Sequence, residues 1–590
     1  MEQQVTSLAR QVETAVSTAL SRVRPELDGA DPLVRRSDRA DFQSNVALAS
    51  AKRVKARPAE LAGELAAALP ADGPIGEVEV SGPGFLNITT TDEALWRQLG
   101  LRLADERLGV DVPEQGARVV VDYSAPNIAK EMHVGHLRTT IIGDALARVL
   151  EHLGADVVRQ NHLGDWGTQF GMLIQYLEEH PEQSWRQEEV DADSSAVSAL
   201  DGLYRAARRA FDEDPAFADR SRARVVALQS GDPDTLARWR EIVAESEKAF
   251  RDLYDRLGVL LTPTDSVGES FYNPLLTDTV TELVDAGIGV ESDGALVVLS
   301  EEVTGPEGDP AVLILRKRDG GFGYDTTDLA TIRYRIRDLK AERLLYVTDS
   351  RQALHFRLVF EAARRAGWLA EPVEATHVAY GTVLGPDGRP FKTRAGGTVR
   401  LSDLLDEAVG RARTVVAEKN PDLDPAELDG IAERAGIGAV KYADLSTSRV
   451  KDYVFDVDRM VSFAGNTGVY LQYAHARIRS ILRRAEDPDP AALAAAVDPG
   501  VVPDPAERAL ALALDAFGDG LAEVASTLEP HRLCGYLYEL ARSFTAFYEA
   551  CPVLTAPEPS RTNRLALCAL AARTLGRGLH LLGIAAPERM

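Results

Sequence analysis

Residues 117–123, Ala-Arg-Val-Val-Val-Asp-Tyr, form a β-branched run without polar alternation, the pattern of a strand covered on both faces. Ser124-Ala125-Pro126-Asn127 breaks that run. From about His136, Leu137, Ile141, Ala145, Leu146, Val149 and Leu153 then line one helical face. Gly154 supplies a helix stop, and a second apolar strand is predicted at 156–158. Strand, helix and strand within roughly forty residues commit this stretch to a parallel α/β sheet, since few other topologies accept such a crossover.

At 590 residues the chain exceeds one core, and length alone predicts about three to five domains. Residues 1–112 read as a small α+β domain. Leu8, Val12, Val16 and Leu20 recur at helical spacing; 75–80 alternates like a strand, and Phe85-Leu86-Asn87-Ile88 resumes it after a Gly-Pro-Gly turn. Residues 113–400 read as a Rossmann-like parallel-sheet domain, with further strands expected at 295–299, 312–315, 344–347 and 376–380 and a charged helical insertion near 180–265. A helical connector, 401–455, leads into an all-α bundle, 456–590, with a Pro- and Asp-rich loop at 487–505. The expected class is therefore multidomain α/β, with an N-terminal α+β domain and a C-terminal helical bundle.

A net charge of −25 argues against indiscriminate coating of polyanions, but binding responds to local charge. Three islands are basic: 34–57 (seven Lys/Arg against two Asp), 441–485 (eight against four acids) and 561–590 (five against one). They fit a shaped, multi-point anionic partner or simply solvated helix faces. Cys534, Cys551 and Cys568 show no Cys-x-x-Cys spacing, so neither zinc nor a disulfide framework is expected, and a reducing cytoplasm is. The polar N-terminus resembles neither a secretory nor an import signal, and no run approaches a membrane span. A monomer without a membrane partner is expected.

His133-Val134-Gly135-His136 lies between the buried strand and the helix. The carboxyl end of a first parallel strand is where open α/β sheets bind nucleotides, and a helix N-terminus there offers N–H groups to phosphate. Two imidazoles can donate to phosphoryl oxygens as charge moves onto pyrophosphate, and Gly135 lets a flat base approach the backbone.

This tetrad resembles the His-Ile-Gly-His signature of class I aminoacyl-tRNA synthetases. Ser124-Ala125-Pro126-Asn127-Ile128-Ala129-Lys130 and Leu163-Gly164-Asp165-Trp166-Gly167-Thr168-Gln169-Phe170-Gly171 are similar to arginyl-tRNA synthetases. So are Gly82-Pro83-Gly84-Phe85-Leu86-Asn87, Phe391-Lys392-Thr393-Arg394-Ala395-Gly396-Gly397, Asn466-Thr467-Gly468-Val469-Tyr470-Leu471-Gln472-Tyr473 and the ending Leu582-Gly583-Ile584-Ala585-Ala586-Pro587-Glu588-Arg589. The resemblance implies an arginine–tRNA ligase. Such an enzyme joins arginine to ATP as arginyl-adenylate, releases pyrophosphate, and transfers arginine to the terminal ribose of its tRNA. ATP with Mg²⁺ is the implied cofactor pair, no protein-bound metal is expected, and activation is expected to need tRNA.

The resemblance also assigns residues. His133, Gly135, His136, His377, Gly381, Val383 and Lys392 fall to ATP, with Lys392 and Arg394 on a Gly-flanked loop that departs from the usual Lys-Met-Ser-Lys-Ser. Lys130, three residues before His133, is expected to supply the missing cation on the triphosphate; a solvent-facing lysine is the alternative. Asp122, Ser124, Asn127, His136, Tyr324, Asp328 and Gln352 fall to arginine. Tyr324 and Asp328 share a helix face by spacing, although Asp328 also reads as a first-turn acid. Phe85 and Asn87 alternate on one strand and are assigned to the tRNA elbow, against the alternative of a core Phe. Tyr470, Gln472, Tyr473 and Arg477 are assigned to the anticodon, some of the tyrosines doubling as packing. A related adenylate-forming ligase and a non-catalytic tRNA-binding relative are the rival readings.

Overall fold

The computed structural model describes residues 5–70, 73–186, 196–305, 308–318, 320–391 and 399–590. Helix α1 (Leu8–Val23) starts at Ser7, whose hydroxyl accepts from the Arg10 N–H at 3.3 Å. Its Leu8, Val12, Val16 and Leu20 are each at most 1 % exposed, as their spacing predicts. Strands β1 (Val34–Arg36) and β2 (Phe42–Ser44), helices α2 (Val46–Ser50) and α3 (Pro58–Ala68), and strands β3 (Ile75–Ser81) and β4 (Phe85–Thr90) follow. The strands form one antiparallel sheet, order β1-β2-β4-β3, and α4 (Asp92–Ala104) leads away from it.

The central body holds β5 (Arg118–Asp122), α5 (Val134–His152), β6 (Asp156–Leu163) and α6 (Thr168–Glu179). Helices α7 (Ala196–Glu213), α8 (Pro215–Ser230) and α9 (Pro233–Leu257) form the expected insertion before β7 (Ser266–Gly268) and α10 (Glu269–Asp285). Strands β8 (Gly289–Ser292), β9 (Ala295–Thr304) and β10 (Pro310–Arg316) precede α11 (Tyr324–Arg337), β11 (Arg343–Tyr346), α12 (Ala353–Arg365) and β12 (Glu374–His377). The main sheet is parallel throughout, order β12-β11-β5-β6-β7, with Val119, Val120 and Val121 of β5 fully buried. Strand order reverses at β5, so a crevice opens above its carboxyl end.

One expectation fails. The strands predicted at 295–299 and 312–315 do not join the parallel sheet; with β8 they make a separate antiparallel meander, order β10-β9-β8. Asp293 and Gly294, both at positive φ, close a two-residue hairpin between β8 and β9, and such a turn can only reverse the chain.

A short parallel pair, β13 (Val383–Leu384) with β14 (Tyr453–Val454), ties the central body to the connector helices α13 (Leu401–Lys419) and α14 (Pro425–Leu445). After α15 (Val457–Met460) the chain is helical: α16 (Gly468–Arg484), α17 (Pro490–Ala496), α18 (Pro505–Asp515), α19 (Phe517–Thr527), α20 (His531–Ala550) and α21 (Ser560–Leu581). Among the described residues no helix is long and apolar enough to cross a membrane.

Ion pairs cross-brace these bodies. Arg102 on α4 meets Asp515 on α18 at 2.9 Å, both nearly inaccessible, and Arg508 of α18 grips Asp41 at 2.6 Å and Asp92 at 2.7 Å. Arg138 of α5 pairs with buried Asp444 of α14 at 3.2 Å and donates to the Lys451 carbonyl at 2.9 Å.

Candidate active site

The turn after β5 is strained. Ser124, Ala125 and Ala129 all have positive φ, a conformation costing a non-glycine residue about 1–3 kcal/mol each. Hydrogen bonds from surrounding elements hold it. The Ser124 N–H donates to Thr139 Oγ1 at 3.0 Å, the Ala125 N–H to Asn161 Oδ1 at 3.0 Å and the Ala129 N–H to Ser246 Oγ at 3.1 Å. The Ser124 hydroxyl lies 2.7 Å from that of Tyr254, and Thr140 donates to it at 2.9 Å. Ser246 and Tyr254 belong to α9, so the insertion is a buttress for this turn.

The turn delivers His133 and His136 to the start of α5 in a reciprocal cap. The Gly135 N–H donates to His133 Nδ1 at 3.0 Å, and the His133 N–H donates to His136 Nδ1 at 3.0 Å. With both Nδ1 atoms accepting, each neutral ring carries its proton on Nε2. Burial lowers the pKa of His133; burial, with His133 alongside, lowers His136 to about 3. A Cβ on Gly135 would lie 2.8 Å from His133 Cε1 and 2.9 Å from its Nδ1, so the glycine is required by the ring as well as by any base above it. Lys130 sets its ammonium over the Tyr204 ring of α7, 4.9 Å from the centroid, within electrostatic reach of both imidazoles.

The arginine candidates divide into two layers. Tyr324, Asn127 and Gln352 are exposed, and Asp328 is half-buried. Asp122 and Ser124 are not available in the way expected. Asp122 pairs with Arg335 at 2.7 Å, side chains 9 % and 1 % exposed, and Ser124 is buried with its hydroxyl engaged. Carboxylate and hydroxyl here complete the floor, because an unpaired charge at that depth would be costly.

Around Asp328 lie groups that sequence reading missed. His355 on α12 places Nε2 2.6 Å from Asp328 Oδ2 and Nδ1 3.3 Å from Asp325 Oδ1. Burial opposes protonation of His355, but hydrogen bonds to Asp325 and Asp328 outweigh it and lift the imidazole to about 9. Glu269, first residue of α10, is lifted to about 7 by burial and by the charges of Asp165 and Asp328. The signal for His355 was its position three residues past Gln352 at a helix start; for Glu269 and Arg335 no local pattern existed.

On the nucleotide side, His377 stacks on Phe356 at 5.0 Å and its Nε2 lies 2.9 Å from the Thr348 hydroxyl; burial lowers its pKa. Gly381 and Val383 are buried. A Cβ at Gly381 would come within 2.6 Å of Asp452 Oδ1 and 2.8 Å of the Lys451 backbone, so this glycine lets the connector close against β13. Lys392 and Arg394 lie outside the described residues.

Two of the tRNA assignments need correcting. Asn87 is 4 % exposed, accepting from Gln43 at 2.8 Å and donating to Ser81 at 2.8 Å, so its amide knits the sheet rather than facing a base. Gln472 is fully buried and donates to the carbonyls of Arg434 at 3.1 Å and Ala585 at 2.9 Å. Phe85 is half-buried, Tyr470 packs edge-on against Tyr538, and Tyr473 and Arg477 are exposed, Arg477 over the Tyr548 ring at 4.5 Å. The basic island there is partly internal: Lys441 is buried, donating to the Leu257 carbonyl at 2.7 Å, and Arg479 pairs with Glu588 at 2.7 Å.

Known proteins resemble the chain along nearly its whole length. Residues 99–457 match the family described as "tRNA synthetases class I (R), catalytic domain", residues 471–590 the "DALR anticodon binding domain" and residues 10–90 the "Arginyl tRNA synthetase N terminal domain". The arginine–tRNA ligase of Frankia casuarinae is 71 % identical over 590 residues, covering both chains completely. That of Streptomyces coelicolor is 54 % identical over 589 residues, 99 % of this chain and all of the relative. Solved structures of arginyl-tRNA synthetase from Plasmodium falciparum (TM-score 0.83, 28 % identity, 99 % of each chain) and Thermus thermophilus (TM-score 0.81, 30 % identity, 99 % and 100 %) superpose on it. On the evidence of site, fold and sequence together, the chain belongs to the arginyl-tRNA synthetases of class I.

Proposed function

We propose that the crevice above β5 activates arginine with the residues placed there, in the following roles. The chain is an ATP-dependent ligase that charges tRNA with arginine. The reciprocal cap of His133 and His136 is the observation that carries the assignment of roles. It leaves two Nε2–H donors at the positive end of the α5 dipole, a place that favours phosphate. The arginine carboxylate attacks the α-phosphorus of ATP; as that P–O bond forms, the bond to pyrophosphate breaks. Neutral donors fixed in advance stabilise the charge that develops on the departing phosphates without a proton having to move.

The guanidinium lies against Asp328 with Tyr324 across it, while Asn127 and Gln352 hold the α-amine and carboxylate. Asp122 and Ser124 support this layer from below through Arg335 and Tyr254. Lys130, Lys392 and Arg394 complement the triphosphate; His377, with the backbone near Gly381 and Val383, borders the adenine. Mg²⁺ would enter with ATP, as family membership implies, and would neutralise charge on the phosphates. A terminal ribose hydroxyl of the tRNA then attacks the adenylate carbonyl and AMP departs. Phe85 meets the elbow of the tRNA, and Tyr470, Tyr473 and Arg477 its anticodon. The three free, buried cysteines fit a reducing cytoplasm, and the enzyme works there as a monomer.

Aminoacylation of bulk tRNA with each of the twenty amino acids in turn tests the activity. Arginine alone is expected to be attached; attachment of another amino acid at a comparable rate would refute the pocket assignment.

A further inference from the structure

We infer that His355 is a specificity-determining positioning residue, fixing the Asp328 carboxylate in the one orientation that suits a guanidinium; the inference rests on the assignment of Asp328 to that group. The geometry is a relay. The Ile314 N–H of β10 donates to Asp325 Oδ2 at 2.9 Å, anchoring that carboxylate to the meander. Asp325 Oδ1 then faces His355 Nδ1 at 3.3 Å, and His355 Nε2 faces Asp328 Oδ2 at 2.6 Å. A ring with a carboxylate at each nitrogen must carry a proton on both, since a bare lone pair would be repelled by the oxygen it faces. The imidazolium therefore donates in both directions and leaves Asp328 Oδ1, which accepts from no described residue, turned to the crevice.

The ring itself is held. Phe356 packs edge-on at 5.3 Å and Tyr324 closes the other side at 5.1 Å. Two carboxylates and one imidazolium carry a single net negative charge facing the guanidinium, to which Glu269, within electrostatic reach of Asp328, adds when ionised. Without the imidazolium Asp328 would lose its anchor and rotate, and a fork of two parallel N–H donors tolerates such misalignment poorly.

The test is a double-mutant cycle in steady-state kinetics with tRNA present. His355→Ala is expected to raise the KM for arginine about ten- to a hundredfold, the worth of a hydrogen bond to a charged group. KM for ATP and for tRNA, and kcat, should stay near wild type. His355→Gln keeps one N–H donor and should lose less; where the alanine variant does not fold, the cycle is built on glutamine. In an Asp328→Asn background the His355 substitution should add little, because the carboxylate it positions is gone. Unchanged arginine KM in the His355 variants, or losses that simply add, overturns the inference while leaving the Asp328 assignment intact. A lower arginine KM overturns it differently, showing the imidazole to occupy the place of the guanidinium. If Asp328→Asn alone leaves arginine KM unchanged, the underlying assignment fails and takes the inference with it.

Discussion

His136 is held neutral, its pKa pushed down to about 3 by burial and by His133, whereas His355 is lifted to about 9 by its two aspartates despite its burial. Neither imidazole changes charge between about pH 5.5 and 8, where an ordinary histidine would. Beside Asp328, a group that does is Glu269, lifted to about 7. A carboxyl whose pKa is raised is neutral below that value and anionic above it, and a nearby guanidinium favours the anion. Arginine KM is therefore expected to rise as pH falls below 7, by up to about tenfold per unit, and Glu269→Gln should flatten that limb. Arginine KM measured across the range at saturating ATP decides it; a limb that persists in the variant excludes Glu269. Lys130 is a second residue with a separable signature. A point charge on departing pyrophosphate acts in the transition state, so Lys130→Ala should lower kcat by about 10²–10³ with little change in KM for ATP. Single-turnover adenylate formation at the wild-type rate would assign Lys130 to its Tyr204 contact alone.

At the scale of elements, the first turn of α5 carries both a helix start and a phosphate site. Gly135→Ala would drive a methyl group into the His133 ring. Loss of a cap costs about 1 kcal/mol in stability, and displacing one donor costs about 10²–10³ in rate. A near-normal Tm with a large fall in exchange of pyrophosphate into ATP, measured with arginine and tRNA present, is the expected pattern; unaltered exchange would show that the ring can move aside at no cost. The β5–α5 unit was legible in the sequence because its strand is an unbroken β-branched run and its large apolar residues recur at helical spacing, although α5 proves to be buried on all sides from residue 137 to 150. The second half of β6 was not, because Gln160 and Asn161 are polar. Strands that end at a crevice must end in side chains that bind something, and here they hold Arg335 and the Ala125 N–H. The β8–β9 hairpin carries a readable Asp-Gly signal, Asp293-Gly294, which the expectation of parallel strands left out of account. His355 is 27 residues from Asp328, and no spacing rule joins side chains on separate helices until the fold is known. The same holds for Asn87 and Gln472, whose sequence surroundings look like an RNA surface while the first amide ties the side chains of Gln43 and Ser81 and the second the carbonyls of Arg434 and Ala585.

Across the whole molecule, charged pairs do work that apolar packing usually does. Asp515 is buried against Arg102, and removing the guanidinium strands a carboxylate in a place where burial already raises its pKa. Arg102→Ala should cost about 3–5 kcal/mol, measured as a lower urea midpoint; a shift within about 0.5 kcal/mol would mean that water reaches the site. The same interface is stitched by Trp96, donating to the Val501 carbonyl at 2.7 Å, and by the Leu8 N–H, donating to Asp515 at 2.7 Å. Through these ties the half-buried Phe85 on one body and the exposed Tyr473 and Arg477 on the other belong to a single stiff frame. On the proposed assignment of Phe85, Tyr473 and Arg477 to RNA, the separation between these two ends is set by the ties between the bodies. The enzyme would act as a gauge: a tRNA with a base pair inserted in its anticodon stem, every contacted base left intact, should lose charging efficiency because the ties between the bodies oppose movement after the displaced loop.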